Sequence, residues 1–355
     1  MAAHFWWSWS VGLPSTAYNN SGFVLSSTGN ISTNNTTTLF VPSPGSLSPS
    51  EEFHLTITAN QTLKTPLFQN GAVTAGWLVF RFKPGTFSGT AMPIVKIQSG
   101  SSSIVELRHL TADLATQYFT PSIHVNGALV GTAETFPSEN ALYVMAIDFD
   151  LGAAQPEAGL VINGKRQVVR DNSGAGSATT MNNVEFNSGA TTGVTSIFGD
   201  IAVFNALADL TDRSSQDVWV TFLDPDAATD GDNSWTPSSG TDLTAVNDAS
   251  ATTFTQTVTS PDTITYGFES CNTRSSGWSP TKVYGLATFA YASASATQTN
   301  TTLALVDNVP ATVSSTNVTL TTTNTFMGVW TAVDSAAAAW TPTSINASTA
   351  IYSVA

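Results

Sequence analysis

Two aspartates, Asp148 and Asp150, flank Phe149 at the end of the apolar run Leu142-Tyr-Val-Met-Ala-Ile147. Residues two apart on a strand point the same way, so both carboxylates could share one face. A carboxylate pair is what glycoside hydrolysis needs, but at a defined separation across a sugar. The close of a strand is also where aspartates cap turns, and that reading is preferred here. A second acidic group is Asp224-Pro-Asp226-Ala-Ala-Thr-Asp230-Gly-Asp232, with four carboxylates in nine residues. Carboxylate and carbonyl oxygens suit calcium, which makes Asp224, Asp226, Asp230 and Asp232 the metal candidates and calcium the one cofactor to test. The run lacks the glutamate that closes a twelve-residue calcium loop, so a solvated acidic turn is its simpler reading.

The four histidines, His4, His54, His109 and His124, all lie in the first part of the chain. A Ser-His-Asp hydrolase needs a histidine placed against an activated serine. His109 and His124 fall in or beside expected strands, with no nucleophile-elbow motif and no metal-ligand spacing. Cys271 is the one cysteine. It excludes an internal disulfide framework and a zinc–thiolate cluster, and its nearest basic neighbour is Arg274. Trp235, Trp278 and Trp340 stand among Ser, Thr and Pro. Tryptophans in loops can stack on sugar rings, which makes these three the glycan-binding candidates. They can equally fill the ends of a sandwich or a subunit contact, the preferred reading. Trp6, Trp7 and Trp9 are the interface candidates, because three close aromatics form an exposed apolar patch unless something covers them. No catalytic residue is assigned, and the chain is expected not to be an enzyme.

The elements that position these residues follow from composition and period. Only 10% of the 355 residues are charged and 41% are hydrophobic. With 54 Thr and 41 Ser the polar surface is made of hydroxyls, and Thr favours strands while Ser, Asn and Gly favour turns. The net charge of −14, with 11 basic residues, gives little from which to build a phosphate-binding surface. Nucleic-acid binding and avid binding to an anionic membrane are therefore not expected. No run of 18 apolar residues is present, and the first ten residues lack the basic and apolar regions of a signal peptide.

Short strand-like runs follow one another from residue 53: 53–58, 76–82, 94–97, 104–108, 122–125, 141–147, 159–162, 167–169 and 198–204. Asn126-Gly127 and Asn163-Gly164 are hairpin signals. Residues 206–213 form the one helical turn. The series then restarts with 217–222, 254–258, 263–268, 281–291, 301–306, 317–320 and 351–354. Charge shifts at the same place: 1–212 hold 8 basic and 14 acidic residues, 213–355 hold 3 and 11. The expectation is an all-β protein with an N-terminal arm at 1–50, one β-sandwich at 51–212 and a second at 214–355.

Leu142-Tyr-Val-Met-Ala-Ile-Asp-Phe-Asp150, Gly159-Leu-Val-Ile-Asn-Gly-Lys165 and Gly199-Asp-Ile-Ala-Val-Phe204 together resemble the concanavalin A-like/laminin-G jelly roll, over roughly 70–212. That resemblance implies a jelly roll for the first sandwich, in a family of lectins, glycan hydrolases and structural modules. Phe222-Leu-Asp-Pro-Asp226, Asn233-Ser-Trp-Thr-Pro-Ser238, Asp242-Leu-Thr-Ala-Val-Asn-Asp248 and Ala339-Trp-Thr-Pro-Thr-Ser-Ile-Asn346 are similar in order to a module of structural proteins of tailed bacteriophages. This implies a virion protein made in a host cytoplasm. The expected role is a capsid decoration or cement protein acting by surface contact, with other virion proteins as partners and a homo-oligomer on the particle. The alternative is a tail-associated or receptor-recognising carbohydrate-binding protein with a host surface glycan as partner. A glycan depolymerase ranks last.

Overall fold

The computed structural model describes 3–7, 24–25, 31–34, 54–57 and 62–65. It further describes 71–218 except 85–91, 111–117, 138–140, 173–178 and 188–195, and 223–355 except 224, 232–233, 247–253, 272–282, 308–310, 323–324 and 332. The chain is all-β, as its composition requires, and its strands fall into two antiparallel sandwiches.

The first sandwich pairs an eight-stranded sheet with a seven-stranded one. In the larger sheet the order is Lys165–Asp171, Glu157–Ile162, Tyr143–Asp150, Ala75–Lys83, Ser196–Phe204, His54–Ile57 and Ile31–Asn34. In the smaller it is Ala128–Thr132, Pro121–Val125, Ser102–His109, Met92–Ser99, Asn183–Asn187, Thr62–Lys64 and Val24–Leu25. Period-two alternation sends Leu78, Phe80 and Phe82 of one sheet against Ile97, Leu107, Ile123 and Phe186 of the other. The rings of Phe80, Phe82, Phe186 and Phe198 lie 5.0 to 6.4 Å apart, mostly edge to face. Both hairpins expected from Asn-Gly are present, with Asn126, Gly127, Asn163 and Gly164 all at positive φ, as a type I′ turn demands.

The arm expected at 1–50 differs from its description as a loop. Ala3–Trp7 is a strand that pairs with Ser196–Phe204, bringing Trp6 opposite Ala202 and Trp7 opposite Ile201. Val24–Leu25 and Ile31–Asn34 join the two sheets. The cause is the nine-residue length of Ser196–Phe204: His54–Ile57 takes the first part of its edge and Ala3–Trp7 the last. Backbone groups there find partners within the first sandwich. Trp9 lies outside the described residues.

The larger sheet is apolar on its outer face as well. Trp77, Val79, Ala146, Val161, Ala202 and Phe204 form a second cluster, closed by Leu210, Val218 and Tyr284. Tyr284 meets Phe204 edge to face at 4.9 Å, so the second half of the chain packs on the first. The helical turn expected at 206–213 is a 3₁₀ turn, Leu207–Asp209, followed by the helix Asp212–Ser215, whose Thr211 and Ser214 form a capping box.

The second sandwich sets a five-stranded sheet, in the order Pro225–Asp230, Asp262–Phe268, Thr349–Val354, Gln298–Val306 and Thr312–Leu320, against the pair Leu286–Ala292 and Thr325–Thr331. Leu303, Leu320, Met327, Val329 and Ala350 fill the space between them. Leu305, Trp340, Ile345 and Cys271 form a satellite core. Two short helices, Asp242–Val246 and Pro342–Asn346, were not foreseen. In the second, Thr341 caps the helix with Ser344, and Pro342 occupies the first turn. No helix among the described residues is long and apolar enough to cross a membrane.

Candidate functional site

Asp148 and Asp150 part company in the structure. Asp148 sits on Tyr143–Asp150 between Trp77 and Gly159 in register and is 3% exposed. Arg166 of the neighbouring hairpin arm donates Nη1–H to its Oδ1, and Arg170 Nη1 lies 3.8 Å from its Oδ2. Gly159 makes this possible: a Cβ there would stand 2.6 Å from Asp148 Oδ1 and 2.7 Å from Arg166 Nη1. Asp150 instead accepts the backbone N–H of Gly152 at 3.0 Å and of Ala153 at 3.1 Å. It is a turn cap, and the two carboxylates do not act as a pair.

Arg166 also reaches the 207–215 segment. Its Nε donates to Asp212 Oδ2 at 3.1 Å and its Nη2 to Asp212 Oδ1, a bidentate pair. Burial opposes the Arg166 charge, but Asp212 and Asp148 outweigh it and hold the guanidinium more firmly protonated than usual. The same guanidinium lies over the Trp77 ring, 5.7 Å from its centroid, while Trp77 Nε1 donates to the Leu207 carbonyl at 2.9 Å. Beside this strut opens a cleft of about 670 Å³. Its apolar part is Val169, Leu207 and Leu210; its polar part includes Arg170, Thr211 and Arg213. Val169 is 74% exposed, although it is a large aliphatic side chain. Arg170 holds Glu157 at 3.3 Å. Arg213 is exposed, and its side chain has no ion pair among the described residues.

The smaller sheet carries a charged row on the face away from the core. Register places His124 opposite Glu106, Glu106 opposite Lys96, Lys96 opposite Glu185, and Glu185 opposite Lys64. Lys96 Nζ donates to Glu185 at 2.7 Å, and Lys64 stands 3.4 Å from its other oxygen. Burial opposes the Glu185 charge, but the two lysines win and hold its carboxyl below the usual range. Ser122 Oγ is 3.2 Å from His124 Nε2. Ser122 is fully buried and its Oγ also donates to the Arg108 carbonyl, so this pair offers no open nucleophile. Burial and the Arg108 charge push the His124 pKa down. His109 is buried, stacked on Phe119 at 5.8 Å, and its Nδ1 accepts from Thr120 N–H. Burial pushes its pKa down to about 4.

The acidic run is a strand over Pro225–Asp230, not a loop. Asp226 and Asp230 are therefore about 13 Å apart along the chain at 3.3 Å per residue, too far to share an ion. Asp230 accepts the backbone N–H of Trp235 at 2.8 Å, and among the described residues no three His, Cys, Asp or Glu side chains converge. Asp224 and Asp232 lie outside the described residues. Trp235 is 7% exposed and meets Tyr352 edge to face at 5.6 Å; Trp340 is 2% exposed. The Thr and Pro that follow them form a short strand, Thr236–Pro237, and the start of the helix Pro342–Asn346, while the indoles enter the core, so these two offer no ring face to a sugar. Trp278 lies outside the described residues. Cys271 is buried, which pushes its thiol pKa up. The cleft residues Arg166, Arg170, Asp212 and Arg213 escaped the sequence reading. A signal was present: Lys165, Arg166 and Arg170 place three of the chain's 11 basic residues within six positions.

No protein-family model matches the chain, and no curated protein sequence matches it. Solved structures resemble it at low similarity. The botulinum neurotoxin type G receptor-binding domain is 10% identical, with a TM-score of 0.38 over 76% of this chain and 72% of that one. Domain 4 of AbnA, a GH43 extracellular arabinanase from Geobacillus stearothermophilus solved with arabinotriose, is 9% identical at TM-score 0.38, covering 62% and 98%. A sialidase is 12% identical at 0.37, covering 58% of this chain and 19% of its own. At these identities and TM-scores the likenesses carry no argument about what this chain binds.

Proposed function

We propose that this chain is a non-catalytic recognition protein whose first sandwich binds a glycan in the cleft beside Arg166. The cleft carries this reading. It is an open surface cleft that combines the exposed aliphatic side chain of Val169 and the half-buried Leu207 with planar guanidinium groups at its rim. Sugars offer such a surface an apolar C–H face and vicinal hydroxyls that one guanidinium can bridge. Asp148 is held between two arginines, and so is placed for rigidity rather than for proton transfer to a substrate. The test is an array of bacterial and host-surface polysaccharides, followed by titration calorimetry with the purified chain. Binding should fall at least tenfold in Arg213→Ala, whose side chain holds no ion pair among the described residues, with the melting temperature of both sandwiches kept, and further in the double variant Arg170→Ala/Arg213→Ala, with both sandwiches still folded by circular dichroism. No binding to any glycan, or equal binding by the variant, would remove the reading. Release of reducing sugar would replace it with a depolymerase.

A second reading is a phage-particle component that acts by contact, such as a capsid decoration protein. Its support is the order of the phage-like Trp-Thr-Pro pieces in the sequence, whose tryptophans Trp235 and Trp340 are core residues. Blotting gradient-purified particles with an antibody to the chain tests this placement, and absence from the particles would exclude it.

A further inference from the structure

The sheet edges of this protein are guarded unequally. A free edge strand presents unpaired N–H and C=O groups, and folded proteins blunt it with charges, proline or short length. Lys165–Asp171 ends the eight-stranded sheet and carries Lys165, Arg166, Arg170 and Asp171. Pro225–Asp230 ends the five-stranded sheet with a proline and two aspartates. Ala128–Thr132 ends the seven-stranded sheet and has five residues. Thr312–Leu320, at the other end of the five-stranded sheet, has none of these guards. It is nine residues long, without charge or proline, and among the described residues only Gln298–Val306 pairs with it.

Its surroundings are as unusual. Residues 283–333 contain one charged side chain, Asp307, in a chain of net charge −14. Asp307 is buried and accepts hydrogen bonds from Ser335. Two copies of an acidic protein repel, and they meet the least repulsion where neither carries charge. Along the strand Ser315, Asn317 and Thr319 are exposed, while Leu320 enters the core, so one face is free and the other anchored. Antiparallel self-pairing about a two-fold axis at Thr316 would set Ser315 against Asn317 on either side of a Thr316 pair, short of the bulge at Val313. Those are hydroxyl and amide pairs, with no like charges opposed.

We infer that Thr312–Leu320 is a docking edge for a second copy of this chain, whose own Thr312–Leu320 adds antiparallel and joins two five-stranded sheets into one. The inference does not depend on what the cleft binds. Light scattering on the full chain should give twice 37.1 kDa at tens of micromolar. The variant Ser315→Lys/Asn317→Lys should give the single-chain mass with an unchanged circular dichroism spectrum, as should Ser315→Glu/Asn317→Glu. An equimolar mixture of the two should return to the doubled mass, because opposite charges now face across the axis. If the lysine variant misfolds, hydrogen exchange on the unmodified chain serves instead: amides of 312–320 should gain at least tenfold protection at high concentration and lose it on dilution. A single-chain mass for the unmodified protein, a lysine variant that keeps the doubled mass, a mixture that stays monomeric, or exchange independent of concentration would each overturn the inference.

Discussion

The two sandwiches solve one compositional problem in opposite ways. Both must cover a hydroxyl-rich β surface with few charges. The first spends its charges in pairs: every ion pair among the described residues lies between Lys64 and Asp212. Several of them lock elements together, as Arg166 does for the sheet and the 207–215 segment. Its core gathers aliphatic side chains around a cluster of phenylalanines. The second sandwich has smaller apolar clusters and, among the described residues, uncharged edges at Thr312–Leu320 and on the pair Leu286–Ala292 and Thr325–Thr331. The largest expected effect separates their cores. Phe80→Ala should cost about 3–5 kcal/mol, the usual range for a fully buried phenylalanine, and lower the first sandwich's transition. Trp340→Ala should do the same for the second. Calorimetry reads this directly. One shared transition, lowered by both variants, would break the comparison and show that the Tyr284–Phe204 contact couples the halves.

Acid should also tell them apart. His109 is held neutral by burial, with a folded pKa of about 4 against 6.5 in an unfolded chain. Below pH 6.5 the unfolded state takes up a proton that the folded state refuses until about pH 4. Stability of the first sandwich should therefore fall across that window, by about 3 kcal/mol at 1.36 kcal/mol per unit. His124, shifted the same way, adds to the fall. Glu185, held low by Lys96 and Lys64, adds loss only as pH drops below its ordinary value of 4.5. His109→Leu should be less stable at pH 7, since Thr120 N–H loses its acceptor, yet show a flatter profile from 6.5 to 4. The second sandwich has no histidine, and its transition should not move in that window. An equal fall in both would refute the assignment to His109.

What the sequence made legible follows the same division. Strands that are continuous apolar runs, such as Ala75–Lys83 and Tyr143–Asp150, were read within a few residues, and both Asn-Gly hairpins were found. Strands held by their neighbours were missed. Asn183–Asn187 has polar residues on one face because Glu185 pairs with lysines from the strands on either side, a fact set by register. Pro225–Asp230 read as a loop because Asp, Ala and Pro disfavour strands; pairing with Asp262–Phe268 overrides that. Thr325–Thr331 was missed for want of an alternating signal around Gly328. The cleft was illegible for a different reason. Its parts come from Trp77, Asp148, Arg166 and Asp212, four stretches joined only by the fold, and loop-like spacing drew attention to Trp235 and Trp340, which are buried. The Asp148 strut now permits a middle-sized prediction. Asp148→Asn keeps the shape but leaves Arg166 and Arg170 facing a neutral group, which should cost about 1–3 kcal/mol in the first sandwich alone. Asp150→Asn, which keeps a side-chain acceptor for the turn, should cost less than about 0.5 kcal/mol. Equal losses would mean that the two aspartates do form a unit.

The smallest effect is expected where the sequence looked most like a metal site. Asp226 and Asp230 lie on one strand, and their spacing follows from backbone geometry rather than from side-chain rotamers. One rotamer change moves a carboxylate by only a few ångströms, so no choice of rotamers brings both to the 2.3–2.6 Å that calcium needs. Asp230 is further committed to the Trp235 N–H, and Asp226 is exposed. Chelation should therefore leave the second sandwich's melting temperature unchanged, and Asp226→Asn should shift stability by less than about 0.5 kcal/mol, the usual range for a surface position. Asp230→Asn should cost more than Asp226→Asn, because the carboxylate accepts a backbone N–H and the amide is the weaker acceptor. A fall of several degrees on adding EDTA, restored by calcium, would show an ion held by these carboxylates together with groups from elsewhere in the chain. The second sandwich would then have a charged anchor of its own, and the contrast between a paired first half and a neutral second would fail at that point.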